Sequence, residues 1–429
     1  MNDPSRAPAG SSTRNPPAAS MVHGGMTLVL LIIVVWRLLL PALRAEHFGI
    51  AFDAEGGFRI QDFAGNLAFA KAFWAGKASY DVDSHLRLTS EWAGQPVRKA
   101  LPFLSSPTML WILAPLCPLP TAWAYGAWTL LGVAAVEWMI RPPRPIWLAA
   151  ALFSPAAFAC FALGQTTVLT VAGMLFLMRD AVTDGVRRSR TGAISDCLDA
   201  LVLWAMTAKP PVALTAGVAL LGSRRWRAVA IALCMSAIST ALLAPRLGIG
   251  GLSAYVHSMP HADVQTADPA FAWSLAPETM GNLRALLYVP LGIGDAAASR
   301  WSGAVWIVAM ITIIVSGIRH AAQQPALWGF AVLAYLLFCP HVSATGDLHL
   351  ALLLVLLEHP PAVRWSAVGL TLAALTLLPQ VGLYDGALRL PVVLASKALL
   401  AGLVWTQWRP SPGQARPASP SPAVRTLTT

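Results

Sequence analysis

Asp62, Gln165, Lys209, His341 and Arg389 are the side chains whose type and setting could do chemistry, because each is a polar group at the edge of an apolar run. A carboxylate can take a proton from a hydroxyl, an ammonium or guanidinium can hold a phosphate, and a histidine can donate to either. The Gln165 amide can hydrogen-bond a sugar hydroxyl or cap a helix. Asp62 opens a segment with apolar or small residues at 63, 67, 70, 73 and 74 that is closed by Gly76, a helical stripe. It is therefore placed either as a general base or as the acidic cap of that helix. Lys209, in Ala208-Lys209-Pro210-Pro211, and Arg389, at the head of the last apolar run, each have two readings. Charges at membrane depth are rare and mostly functional, yet a long cation can also snorkel to bulk lipid phosphates.

Other constellations are weaker. The turn from Cys339 to His349 gathers His341, Asp347 and His349, but no third ligand at a diagnostic spacing points to a metal. Asp81-Val82-Asp83 resembles the Asp-x-Asp of metal-dependent nucleotide-sugar enzymes, on three residues alone. The five cysteines lie in apolar stretches without CxxC spacing and read as small core residues. No phosphate-cradling glycine loop, HExxH or GxSxG occurs. Neither a metal nor another cofactor is expected.

The elements that must position these groups are set by composition. Of 429 residues 56% are hydrophobic and 12% charged, about half the charge of a soluble chain. An ordinary cytosolic enzyme is excluded. The net charge of +10 does not point to nucleic acid, because basic residues also fix membrane topology. Apolar segments run at 26–44, 104–119, 121–140, 146–162, 164–179, 195–208, 210–222, 228–245, 301–318, 327–340, 348–360, 365–380 and 389–407. The turns at Arg141 to Arg144, Arg179 to Arg190, Arg224 to Arg227, Arg319 and Arg364 are basic and belong in the cytoplasm, which leaves the turns at Gln165, Lys209 and His341 outside. Pro107, Pro115, Pro118 and Pro120 make the 104–140 stretch one crossing plus a re-entrant half-helix, with Ser106 and Pro107 on a candidate cavity wall. The expectation is an all-α polytopic membrane protein of about 12 helices. Its parts are a disordered cytoplasmic N-terminus (1–25), a membrane domain (26–407) with long outer loops at 45–103 and 246–300, and a disordered cytoplasmic tail (408–429). The Asp62 helix is expected to lie amphipathically on the bilayer.

The order of these features resembles glycosyltransferase family 87 of the GT-C superfamily, the polyprenol-phosphate-mannose-dependent mannosyltransferase-like membrane proteins. The matching elements are Asp62-Phe63 through Gly76 to Tyr80-Asp81, Ala114-Pro115-Leu116 to Pro120, Gly164-Gln165, Lys209-Pro210-Pro211, Arg224 to Arg227, and Pro340-His341 leading to Asp347-Leu348. A Tyr-Pro-Pro element of the family is reduced to Ser105-Ser106-Pro107. The resemblance implies a hexosyltransferase, mannose being the expected sugar, that uses a polyprenyl-phosphate sugar donor and a glycolipid or glycan acceptor. It further implies that Asp62 is the base of an inverting reaction, that Lys209 and His341 stabilise the departing phosphate, and that Gln165 lies near the sugar. Arg389 joins the donor-phosphate candidates. A bacterial inner membrane is the expected location. The alternative, a transporter or flippase of a lipid-linked substrate, would be expected to show repeated halves, and none is visible.

Overall fold

The computed structural model describes residues 17–36, 50–52, 58–60, 62–77, 87–88, 90–91, 105–141, 146–179, 193–258, 280–319, 324–342, 344–356, 368, 370–371 and 386–408. The architecture is helical. The first helix, α1, is Pro17–Val34, and a short antiparallel ribbon follows, Ile50–Phe52 (β1) against Phe58–Ile60 (β2), with Ala51 opposite Arg59. The architecture is all-helical as expected, and this ribbon is a small local addition to it. Three-residue strands are too short to leave a period-two signal in the sequence.

After α2 (Asp62–Trp74) come α3 (Pro107–Leu113), a 3₁₀ turn (Ala114–Leu116) and α4 (Thr121–Ile140). Next are α5 (Ile146–Leu152), α6 (Pro155–Leu163), α7 (Thr167–Leu177), α8 (Ala193–Met206), α9 (Pro210–Gly222) and α10 (Trp226–Ser258). The remaining helices are α11 (Leu283–Tyr288), α12 (Asp295–Arg319), α13 (Gln324–Phe338), a 3₁₀ helix (Ala344–Leu352), α14 (Leu353–Leu356) and α15 (Gly386–Trp408).

Among the described residues, two helices are long and apolar enough to cross a bilayer, Trp226–Gly248 within α10 and α12. The count rises to four if two bent pairs each make one span: α3 with α4, bent by 110°, and α6 with α7, bent by 118°. The 104–140 stretch is thus broken where its prolines stand. Among the described residues proline and glycine cut several apolar runs into shorter helices; α9, with 13 residues, reaches about 20 Å of a hydrocarbon core about 30 Å thick. On α10, Leu233, Ile238 and Leu242 are exposed, as are Ile307, Val308 and Ile311 on α12. Such rows of bare aliphatic side chains require an apolar solvent.

Two cores form. The larger joins α4 to α9 with α13 and the second 3₁₀ helix. The smaller holds Phe63, Leu67, Ala70 and Phe73 of α2 against Met109, Leu110 and Leu113 of α3, Tyr125 and Trp128 of α4, and Leu243 and Leu247 of α10. The stripe read from the sequence is therefore the buried face of α2, but it packs on protein and not on lipid. Trp74 at its end is only half-buried; its indole donates to Leu110 O, and Arg246 stacks on its ring. Cys160 and Cys339 are buried as expected, whereas Cys197 and Cys234 are exposed.

Candidate active site

The site is built on a helix break. Ser154 caps α6 by accepting from Ala157 N, and Pro155 occupies the first turn where its missing N–H costs nothing. At the other end Gly164 adopts the left-handed conformation (φ 64°), with a Gln165 N to Cys160 O bond of 2.8 Å closing the cap. The terminal carbonyls of α6 are taken by α4, Tyr125 Oη donating to Phe161 O (2.6 Å) and Trp128 Nε1 to Gly164 O (3.1 Å). Gly164 also lies directly under α2, since a Cβ there would sit 2.3 Å from Phe63 Cβ. This close approach presses the first turn of α2 onto the break, and Gln165 Nε2 donates to Asp62 Oδ2 at 2.5 Å.

The second contribution comes from the turn between α8 and α9. Pro210 holds the preceding residue out of helical space, and Lys209 accordingly leaves α8 with extended backbone (φ −122°, ψ 83°). Its ammonium donates to Thr167 Oγ1 at 2.9 Å, and Thr167 lies 3.2 Å from Gln165 Oε1. Asp62, Gln165, Thr167 and Lys209 thus form one hydrogen-bonded chain from a carboxylate to an ammonium. Asp62, Gln165 and Lys209 are each mostly buried, with a minor part of their surface open, and Thr167 is fully buried beneath them. Thr108 at the start of α3 meets Thr207 at 2.7 Å, and the adjoining Ser106 and Pro107 are buried. The candidate cavity wall therefore abuts the lysine turn.

Removal from water pushes the Asp62 carboxyl up from its ordinary value, against the lowering effects of the Gln165 hydrogen bond and the Lys209 charge. A carboxyl biased toward its neutral form is a better proton acceptor when ionised.

The third wall is the end of α13, whose carbonyls are captured one after another. Lys397 Nζ donates to Leu336 O, Ser302 Oγ to Phe338 O, Asn282 Nδ2 to Cys339 O and Arg284 to Pro340 O. Cys339 is among the electrostatic neighbours of Lys209, together with Cys160 and Asp62. His341 follows in this turn, half-buried.

The expected outer turn 339–349 is instead largely 3₁₀ helix, and its polar groups are internal. Asp347 pairs with Lys397 of α15 at 2.7 Å, both buried. His349 is buried with Nδ1 2.8 Å from Gly346 O and Nε2 3.1 Å from Thr170 Oγ1. A carbonyl only accepts, so Nδ1 carries the proton; the single Thr170 proton has two acceptors within reach, Nε2 of His349 and Thr167 O. Arg389 falls in the first turn of α15, and its side chain lies outside the described residues, as do Asp81-Val82-Asp83 and residues 409–429.

Of the residues singled out from the sequence, the fold brings Asp62, Gln165 and Lys209 together. Sequence reasoning did not single out Thr167 or Lys397, and it read His349 as part of an outer turn, whereas that residue is buried. Lys397 carried a signal, a cation in the middle of an apolar helix; Thr167 carried none beyond its place two residues after Gln165.

A carboxylate, an amide and an ammonium thus converge at helix breaks of a helical membrane protein. The model of glycosyltransferase family 87 matches residues 103–343, more than half of the chain, and the protein belongs to that family of membrane glycosyltransferases. No curated protein and no solved structure matches. Gln165, Lys209 and His341 lie within the matched segment, whereas Asp62 lies before it and is delivered by α2.

Proposed function

We propose that the protein transfers a hexose, mannose by family resemblance, from a polyprenyl-phosphate sugar to a glycolipid or glycan acceptor at the outer face of a bacterial inner membrane, with inversion. The observation that carries this reading is the single hydrogen-bonded chain joining Asp62 to Lys209 through Gln165 and Thr167. Asp62 takes the proton of an acceptor hydroxyl as its oxygen bonds to the anomeric carbon, and the carbon–oxygen bond to the phosphate breaks with its electron pair on the phosphate. Lys209 faces the charge that develops there, with His341 as a second donor. The leaving group is already an anion, so positioning and fixed charge serve the reaction.

The opposite end of the bundle supports the orientation. Arg179 beyond α7 and Arg225 before α10 both pair with the buried Asp199 of α8, and Arg224 donates to Ile318 O near the end of α12. Successive helices α7, α8, α9 and α10 alternate direction, so this basic cluster and the Asp62 site lie at opposite ends. Basic turns belong to the cytoplasm.

The test is transfer of radiolabelled sugar from polyprenyl phosphate by purified protein in nanodiscs. Asp62→Asn is expected to fold, bind donor and transfer nothing measurable. Undiminished transfer by that variant would overturn the assignment of the base.

A further inference from the structure

We propose that Thr167 is a positioning residue of the transfer reaction, its hydroxyl fixing which end of the Gln165 amide faces Asp62. The inference rests on Asp62 as the base and deepens that reading. Hydrogen-bond polarity carries it. An ammonium can only donate, so Thr167 Oγ1, 2.9 Å from Lys209 Nζ, accepts there. The hydroxyl has one proton, and it points to Gln165 Oε1 at 3.2 Å. With the amide oxygen so held, the amide nitrogen is the atom left to face Asp62 Oδ2 at 2.5 Å. The three bonds therefore run one way, from cation through hydroxyl and amide to anion, with Cys160 also against the Thr167 hydroxyl.

Thr167 is fully covered by protein, so bulk water does not substitute for it. Its own position is set twice over. It is the first residue of α7, directly after the break at Gly164-Gln165, and its carbonyl accepts from Thr170 Oγ1 at 2.9 Å. Thr170 in turn meets buried His349. Without the Thr167 hydroxyl the amide loses the hold on Oε1 that keeps its nitrogen in line with Asp62 Oδ2. With it, Oδ2 of Asp62 is occupied by Gln165, and Oδ1 is the oxygen assigned to the acceptor proton. The titratable groups that face Asp62 are Lys209 at the α8–α9 turn and Cys160 on α6.

The experiment compares Thr167→Val, which keeps shape and branching but lacks the hydroxyl, with Thr167→Ser, which keeps the hydroxyl. Full-length protein is reconstituted in nanodiscs. Thr167→Val should lower kcat on the order of tenfold or more while changing KM for the lipid donor less, and should move the acid limb of the rate profile to higher pH. Thr167→Ser should restore both. Titration of the Asp62 carboxyl by infrared difference spectroscopy, with Asp62→Asn as the blank, reads the same arrangement without turnover. Its midpoint should rise in Thr167→Val and return in Thr167→Ser. Equal behaviour of the valine and serine variants, or a midpoint that does not move, overturns the role of Thr167 even where Asp62→Asn is inactive. A midpoint that moves in a protein whose Asp62→Asn variant transfers sugar normally overturns the base assignment instead.

Discussion

Replacing Gly164 by alanine should disable the enzyme through geometry, although it touches no reacting group. The left-handed backbone at Gly164 (φ 64°) costs an L-residue about 1 to 2 kcal/mol. The larger effect is steric. The new methyl would lie 2.3 Å from Phe63 Cβ and 3.2 Å from Tyr125 Cε2, and Phe63 Cβ is fixed to the α2 backbone. Ordinary contact requires a retreat of about 1 Å. If the first turn of α2 makes that retreat, the Asp62–Gln165 bond of 2.5 Å stretches to about 3.5 Å, the limit of a hydrogen bond. A misplacement of this size in a catalytic array costs on the order of 10²-fold in rate. Sugar transfer and thermal melting of Gly164→Ala would be measured beside Gly173→Ala on the same broken unit. At Gly173 the added Cβ meets the flexible end of Met206, its sulfur at 2.9 Å, so the control is expected to keep its rate within about twofold. Equal rates in the two variants, or wild-type rate in Gly164→Ala, would refute the argument that the glycine sets the α2 register.

Three further outcomes follow from the charges. Because burial holds the Asp62 carboxyl above its ordinary value, kcat/KM should fall on acidification at a pH where an exposed carboxylate would still be ionised; an acid limb in the ordinary carboxylate range would contradict this. Stability runs the other way, since a raised folded-state value favours folding below the ordinary value and the contribution is lost as pH rises through the folded value. Asp62→Asn should therefore melt no lower than wild type at neutral pH. Lys209→Ala should raise KM for the lipid-phosphate donor roughly tenfold or more, the scale of a lost charge-assisted hydrogen bond; an unchanged KM would return Lys209 to a contact with bulk lipid.

What could be read without the structure was the punctuation of the helices. Lys209-Pro210-Pro211 and Gly164-Gln165 announce their breaks because proline and glycine dictate local backbone, and both breaks stand where the sequence puts them. The stripe of α2 was also legible, but not its partner, since Phe63, Leu67, Ala70 and Phe73 would suit lipid as well as they suit α3 and α4. The polar groups after α13 were read as solvent-facing because a cluster of His and Asp in a short turn ordinarily is. Their burial depends on Lys397, 50 residues beyond Asp347, and on Thr170, 179 residues before His349. Pairings at such separations have no local signature.

The convergence of the site with the breaks has a physical cause. An uninterrupted helix satisfies its own backbone and has nothing to offer a polar substrate in an apolar surrounding. A break frees carbonyls and N–H groups that must find partners, and here the partners are side chains: Tyr125 and Trp128 at the end of α6, and Ser302, Asn282, Arg284 and Lys397 at the end of α13. Once those groups are present the local environment is polar enough for a carboxylate and an ammonium to stand near each other. The short helices that end at these breaks are for the same reason what makes room for Asp62 and Lys209.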